Sequence, residues 1–575
     1  MHIVPTNTLL TPFPSAQPFH PIESGHPSSP IWIIGEAPGG EEIARGIPFV
    51  GASGQLLTQL LLETGFARHQ CFITNVCHER PPEQVKNGKV IRDDISTFFL
   101  TKTEARRRLV SEVLGRYPLP PVVSGRNHLI NLLALHRPQL ILAFGNTALW
   151  ALTGHTGILK WRGSVLTATE TPQPFTKLIP TAHPAAVLRE YPLRNIVLQD
   201  LRRAKRESAF PEVRKPAWQF IVRPTADTAI DYLNGLFRRL TWGRQTFACD
   251  IETRRGQIAC VGIAQSETEA ICIPLMCVER SEGYFSPDEE RSIILLLRAV
   301  LSHPNARIVF QNGAYDLQYF AKQYGFLPRI QDDTMLMQHV CFPGLRKGLD
   351  FLSSLYCRYH RYWKDDGKTW DDSINEEQLW TYNCEDCVRT FECWQVLTEV
   401  VRARGLTDQY HFQMQELFPI VLRMMLRGIA FDSDRRASVQ RDLEAFRLNA
   451  QDWLDRALGH TINVESSAQM QRLFYEDLRV PTILHRKTKR PTLDDEALDR
   501  IARQQPLLAL LIQHIRDIRS ANTALENVLT ARVSPDGRSR STINMAGAET
   551  FRFSSSEDAF GFGFNMQNIT KGDEA

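Results

Sequence analysis

Apolar runs of four or five residues punctuate the first third of the chain, each closing on a glycine or a polar turn. Ile31-Trp32-Ile33-Ile34 runs into Gly35. Leu140-Ile141-Leu142-Ala143-Phe144 runs into Gly145, and a helical period starts at about Asn146. Runs of this length predict buried strands, and strands alternating with helical periods predict an α/β domain over residues 31–205. The first 30 residues are Pro-rich and lack Lys and Arg, which predicts a flexible tail. The charged, Pro-interrupted stretch from Ala204 to Trp218 predicts a linker, centred on 206–218. Over 219–400 strand patterns come first and helical ones follow. From 401 to about 535 the period is helical, with Ser466-Ser467 placed to cap a helix start. After the turn signal Pro535-Asp536-Gly537 the chain becomes Gly-, Ser- and Phe-rich.

With 575 residues, the chain exceeds what one hydrophobic core supports, so three or four domains are expected. Its 43% hydrophobic and 23% charged residues fit an ordinary globular protein. A formal charge of +3 provides no global field for a polyanion, so nucleic acid would be held by local basic patches. Arg106-Arg107-Arg108, the Arg202–Arg206 run and Arg486-Lys487-Thr488-Lys489-Arg490 are such patches, and each alone also reads as a solvated face. Eleven cysteines without a regular framework, no signal-like start and no long apolar span predict a reducing, cytoplasmic setting away from membranes.

Five residues in three contexts carry the most chemistry. Asp250 and Glu252 follow the apolar run Thr246-Phe247-Ala248-Cys249, and as i and i+2 of a strand they share a face. Asp316 follows a second strand, Val309-Phe310, at a helix start. Tyr382 and Asp386 are i and i+4 on a helix beginning near Asn375. Carboxylate oxygens suit hard divalent cations, and two such ions can activate a water and stabilise a leaving 3′ oxygen. Asp386 can complete that site while Tyr382 orients the water. The set resembles the DEDDy 3′–5′ proofreading exonucleases fused to family A DNA polymerases. That resemblance implies an RNase H-like α/β domain over 219–400. It also implies two Mg²⁺ or Mn²⁺ ions on Asp250, Glu252, Asp316 and Asp386. Cys384 and Cys387 read as packing thiols.

Residues 401–575 carry Arg427-Gly428-Ile429-Ala430-Phe431-Asp432, Ile518-Arg519-Ser520-Ala521-Asn522-Thr523, Arg552-Phe553-Ser554-Ser555-Ser556 and Asn565-Met566-Gln567-Asn568-Ile569. This succession resembles the mostly helical thumb and first palm strands of family A DNA polymerases. It implies that Arg552, Gln567 and Asn568 touch primer–template, and that Arg486, Lys487, Lys489 and Arg490 meet phosphates at the thumb tip. Phe553 stands where the family has Leu or a similar residue. The palm aspartates and fingers helix of the family lie beyond Ile569, so polymerisation by this chain alone is not expected. A second polypeptide, an intervening sequence and a shortened chain all stay open as explanations.

At the N-terminus, Gly35-Glu36-Ala37-Pro38-Gly39-Gly40-Glu41-Glu42, then Gly46-Ile47-Pro48-Phe49-Val50-Gly51, Ile73-Thr74-Asn75 and His183-Pro184-Ala185 follow in order. The set resembles the uracil-DNA glycosylase superfamily, especially its family-4 branch. It implies that Phe49 stacks on a flipped uracil and Asn75 pairs with its edge. His183 would stabilise the departing anion. Glu36 and Glu42 are both candidates for the carboxylate that activates water, with Glu42 preferred. Residues 83–130 form an insertion relative to the compact family pattern. Family-4 enzymes hold an iron–sulfur cluster on four cysteines. Here no cysteine precedes Cys71, and Glu79 stands at the third ligand position, so no cluster is expected.

The order of the three resemblances is that of certain bacteriophage replicative polymerases, which implies the cytoplasm of a bacterial host. The expected activity is 3′–5′ excision on single-stranded and primer–template DNA, with uracil excised or sensed upstream. The alternative is a non-catalytic DNA-binding or scaffold subunit completing a split polymerase.

Overall fold

The computed structural model describes residues 20–86, 89–91, 93–169, 176–366, 376–486 and 488–568. The chain forms two compact units, neither contiguous in sequence. The first takes residues up to Pro224, Gly262–Ser281 and Arg346–Leu397; the second takes Thr225–Val261, Glu282–Leu345 and the chain from Thr398 onward. Among the described residues no helix is long and apolar enough to cross a membrane.

The first unit is built on a five-stranded sheet. Its spatial order is Cys71–Asn75, Ile31–Gly35, Leu140–Phe144, Lys177–Thr181 and Leu166–Thr167. The first four strands are parallel and the last is antiparallel. Nearly every residue of the four parallel strands is buried. A parallel sheet covered on both faces requires that, which explains the unbroken apolar runs. Side chains alternate between faces, so Trp32, Ile34, Phe72 and Ile141 enter one core while Ile33, Ile73, Leu140 and Leu142 enter the other. The helix Asn146–Thr153 follows its strand as the pattern predicts. The helix Leu193–Glu207 runs into the stretch expected to be a linker.

A buried charge network ties this sheet to a distant part of the chain. Asp200, with no exposed surface, accepts from Arg162 Nε at 2.9 Å and from Thr181 Oγ1 at 2.7 Å, with a second contact from Arg162 Nη2. Arg162 Nη1 also donates to Ser354 Oγ at 2.8 Å. Arg203 donates to the carbonyls of Gly163 (3.0 Å), Ser354 (2.7 Å) and Cys357 (2.7 Å). Ser354 lies in the last turn of the helix Leu349–Tyr356, and the segment after that helix lies along the sheet. Val165 N–H donates to the His360 carbonyl at 2.7 Å, and Tyr362 N–H donates to Ser164 Oγ at 3.1 Å. Tyr359 joins one core of the sheet and Tyr362 the other.

The second unit contains the strand Gln245–Arg254, parallel to Ala306–Phe310, which is parallel to Ile330–Asp333. Helices Ala226–Trp242 and Pro287–Leu301 pack together beside them. Farther on, Ser433–Leu458 packs on Ala509–Ala524 around Leu454, Phe474, Leu498 and Ile515. Ser466 caps the helix Ser467–Gln471, its Oγ accepting from Gln469 N–H at 3.4 Å, as the sequence predicts. The hairpin of Ser541–Asn544 and Ser554–Glu557 closes the described chain's sheet structure.

Removing Asp200 strands two buried guanidinium groups, one of which, Arg203, burial already pulls down to about 10. Breaking such a pair costs roughly 3–5 kcal/mol. Urea denaturation of Asp200→Ala is expected to show that loss; a change below about 1 kcal/mol would contradict the network's structural role.

Candidate functional site

All five residues expected at the N-terminal site lie in the first unit, on the loops and helix starts that follow its parallel strands or at a strand's C-terminal end. Gly35 and Asn75 are register partners. A side chain on Gly35 would place its Cβ 2.3 Å from Asn75 Oδ1 and 2.6 Å from Phe49 Cζ. Only a glycine lets the amide and the ring close over this strand end. Phe49 sits in the left-handed region, with φ of 53°. Arg68, which the sequence did not single out, holds that strained turn by donating to the carbonyls of Pro48 (3.0 Å) and Phe49 (2.8 Å). His183 stacks on Phe49 with ring centroids 5.5 Å apart.

His183 also caps the short helix Pro184–Arg189, its Nδ1 accepting from Ala185 N–H at 3.2 Å. Burial lowers its pKa against the opposing pull of Glu36 and Glu42, and Arg189 lowers it further. The neutral ring therefore carries its proton on Nε2, a hydrogen-bond donor, an assignment made from the bonding pattern. The two glutamates differ in their bonds. Glu36 Oε1 accepts from Thr147 N–H at 2.8 Å, in the first turn of Asn146–Thr153. Glu42 is buried and accepts from Gly39 N–H.

The donor set of this domain does not fit a four-thiolate cluster. Cys71 and Cys77 are its two cysteines, and burial pushes their thiols up to about 11 and about 12. Beside Cys77, Glu23, His78 and His128 form a compact polar group. His128 Nε2 lies 2.9 Å from Glu23 Oε1, and His78 Nδ1 accepts from Ile22 N–H at 2.9 Å.

In the second unit, Asp250 and Glu252 sit on the strand Gln245–Arg254 as expected, and Asp316 lies in the first turn of the helix Ala314–Tyr319. Asp316 is buried, and its Oδ1 accepts from Ile251 N–H at 3.0 Å. Burial and then the Asp250 charge push its pKa well above the usual carboxylate range. Asp333, not foreseen from sequence, sets the turn before Asp316 by accepting from Gly313 N–H at 2.8 Å and Asn312 N–H at 3.2 Å. Burial raises its pKa to about 6.

In the first unit, Tyr382 and Asp386 lie on the helix Glu376–Ala403. Trp363 Nε1 donates to Asp386 Oδ1 at 2.7 Å, and Lys364 Nζ donates to Tyr382 Oη at 2.8 Å. Asp250 and Glu252 side by side on one strand, and Asp386 on its helix, offer carboxylate oxygens only, and oxygen-only donors suit hard cations.

The expected DNA contacts divide as follows. Arg486, Lys489 and Arg490 are exposed on a tight turn closed by His485 N–H donating to the Arg490 carbonyl at 2.8 Å, while Lys487 lies outside the described residues. Arg552, Gln567 and Asn568 are exposed. Gln567 Nε2 donates to the Phe553 carbonyl at 2.6 Å, and Ser555 Oγ donates to Asn565 Oδ1 at 2.5 Å, so the two motif segments are joined.

Residues 22–203 match the uracil DNA glycosylase superfamily. The type-4 uracil-DNA glycosylase of Thermotoga maritima is 32% identical over 189 residues, 32% of this chain and 80% of that protein. The chain belongs to the uracil-DNA glycosylase superfamily. It joins that domain to a 3′–5′ exonuclease match over 228–402 and a DNA polymerase family A match over 434–575. The DNA polymerase I of Rhizobium leguminosarum is 27% identical over 287 residues, covering 48% of this chain and 28% of the relative. That of Pseudomonas aeruginosa is 25% identical over 342 residues, 56% of this chain and 36% of the relative. The chain thus spans about a third of the length of these polymerase relatives. The whole is a mixed α/β multidomain protein with glycosylase-like, exonuclease and polymerase-like parts.

The polar group of the glycosylase domain yields a pH prediction. Burial, with the neighbouring His128, lowers His78 from 6.5 to about 4. The unfolded chain then takes up a proton first as the pH falls, so stability is present above about 6.5 and drains away toward pH 4. A shift of that size corresponds to ~3 kcal/mol. Urea denaturation of the wild type between pH 7.5 and 4.5 is expected to fall more steeply than that of His78→Gln; parallel curves would contradict the assignment.

Proposed function

We propose that this chain acts in DNA synthesis of the family A polymerase type, with a two-metal 3′–5′ proofreading exonuclease and an upstream domain that excises or senses uracil in DNA. The single observation that carries the exonuclease reading is the match of residues 228–402 to the 3′–5′ exonuclease family, within which Asp250 and Glu252 share one strand and the buried Asp316 accepts from the N–H of Ile251 between them. In this reading domain boundaries fall near 31–205, 219–400 and 401–575. Asp250, Glu252, Asp316 and Asp386 would hold two Mg²⁺ or Mn²⁺ ions. When bound, these ions activate water and stabilise the leaving 3′ oxygen. Tyr382 directs its hydroxyl at the attacking water. Exposed Arg552, Gln567, Asn568 and the Arg486–Arg490 turn hold the DNA by its backbone.

In the glycosylase domain, Phe49 offers the stacking face and Asn75 the edge-reading amide. His183 Nε2–H donates to the uracil oxygen that gains charge as the glycosidic bond breaks. Glu42 is kept as the preferred water-activating carboxylate and Glu36 as its alternative; each accepts one backbone N–H at a helix start.

Two assays test these readings. Mg²⁺-dependent shortening of 5′-labelled single-stranded DNA is expected from the wild type. Even the outer partners of metal ligands are worth about 10–100-fold, so Asp250→Ala and Asp386→Ala are each expected to lose at least ~100-fold. Equal digestion by mutants and wild type would sink the reading. On uracil-containing DNA, alkali-labile sites are expected with the wild type and lost in Asn75→Ala. No sites with the wild type would leave the domain a sensing or scaffolding role.

A further inference from the structure

We propose that Lys364 is a positioning residue of the exonuclease centre, and that the glycosylase domain is the anvil on which it is held. The inference rests on the exonuclease reading and adds a residue that none of the expected motifs contains. Lys364 Nζ donates to Tyr382 Oη at 2.8 Å and also contacts Asp386 Oδ2. The adjacent Trp363 donates to the other oxygen, Asp386 Oδ1, at 2.7 Å. Two consecutive residues thus grip both oxygens of one carboxylate and the phenol one helical turn before it.

The chemistry of the donors defines the role. An ammonium group has three donors and no acceptor. By donating to Tyr382 Oη it occupies a lone pair of that oxygen, and the phenol's own proton is directed elsewhere, toward an acceptor such as a water or a phosphate oxygen. Each Asp386 oxygen retains a further lone pair for a cation. Lys364 fixes the orientation of both side chains without touching the bond that breaks.

A long lysine would orient its neighbours poorly if its backbone moved, and here it is clamped. Trp363 is almost fully buried. The preceding residues have no helix or strand of their own, yet their carbonyls are bound. Arg203 donates to Cys357 O at 2.7 Å, Arg389 to Tyr359 O, and Val165 N–H to His360 O at 2.7 Å. Two of these donors belong to the glycosylase domain. That domain therefore supports the exonuclease helix face irrespective of whether it excises uracil.

The test uses the full chain, 5′-labelled single-stranded DNA and Mg²⁺, with kcat and KM measured separately and Mg²⁺ titrated. Lys364→Ala is expected to lower kcat by roughly 10–100-fold, as outer partners of metal ligands do. KM for DNA should change less than about threefold, and the half-saturating Mg²⁺ concentration should move. Lys364→Arg, which keeps charge and donors, should recover part of kcat, whereas Lys364→Gln should recover less. Thermal melting of each variant separates these effects from misfolding. If Lys364→Ala raises KM and leaves kcat unchanged, the residue is a DNA-binding cation and the proposal fails. It fails too if Lys364→Ala cleaves like the wild type while Asp386→Ala is dead, and in both cases the exonuclease reading survives. A wild type without Mg²⁺-dependent digestion overturns both.

Discussion

Asp200 has no exposed surface, and its carboxylate is met by Arg162 and Thr181. Much else in the first unit depends on that constraint. Buried charge is tolerated only when it is fully paired. Arg162 satisfies Asp200 and then reaches Ser354, while Arg203, one turn along the helix from Asp200, gives its two terminal nitrogens to the Gly163, Ser354 and Cys357 carbonyls. The network thereby dictates where residues 354–364 run. An extended segment without secondary structure normally lies at the surface, because its backbone groups need water. Here arginines and strand-end amides replace the water, and Tyr359 and Tyr362 are free to enter the two cores of the sheet. A domain that belongs to a glycosylase superfamily thus has a structural duty toward residues far away in sequence.

The proposed uracil site illustrates a different economy: a few side chains would carry its chemistry, and backbone geometry sets its shape. Gly35 is required because any Cβ would collide with Asn75 and Phe49. Phe49 occupies a backbone conformation that disfavours it, and Arg68 holds it there through two carbonyls. Strain of this kind persists where the surroundings over-determine it. His183 gains its tautomer from the same economy, since the helix it caps claims Nδ1 and leaves Nε2–H for a ligand.

What could be read from sequence was what local pattern encodes. The buried strands Ile31–Gly35 and Leu140–Phe144 announced themselves by unbroken apolar runs, and the Ser466 cap by its position before a helical period. Asp250 and Glu252 stood directly after an apolar run, Phe49 in a turn between glycines and Asn75 at a strand end, where motif order could pick them out. Arg68, Asp333 and Lys364 could not be found that way. Each acts on a backbone group or side chain 18 or more residues distant, and none differs in composition from an ordinary surface residue. Lys364 in particular lies in a polar run, Lys364-Asp365-Asp366-Gly367-Lys368, that resembles any exposed turn. The interleaving of the two compact units was equally invisible, because contiguity is the default assumption for a domain.

The chemistries assigned to the chain ask for opposite electrostatics, and the residues supply both. Asp316 is buried beside Asp250 with backbone N–H groups as only partial compensation, so its carboxyl is held far from its preferred charged state. Carboxylates crowded in this way are stabilised by cations, which is the requirement of phosphodiester hydrolysis at a polyanion. His183 lies in the reverse situation: burial drives it neutral although two glutamates favour its charge. A neutral donor suits a base that becomes anionic only as its bond breaks, because it offers little to the ground state and more to the transition state. One centre is thus poised to recruit charge and the other to avoid it. That difference, more than fold, separates an activity that would depend on divalent metal from one that would proceed without it.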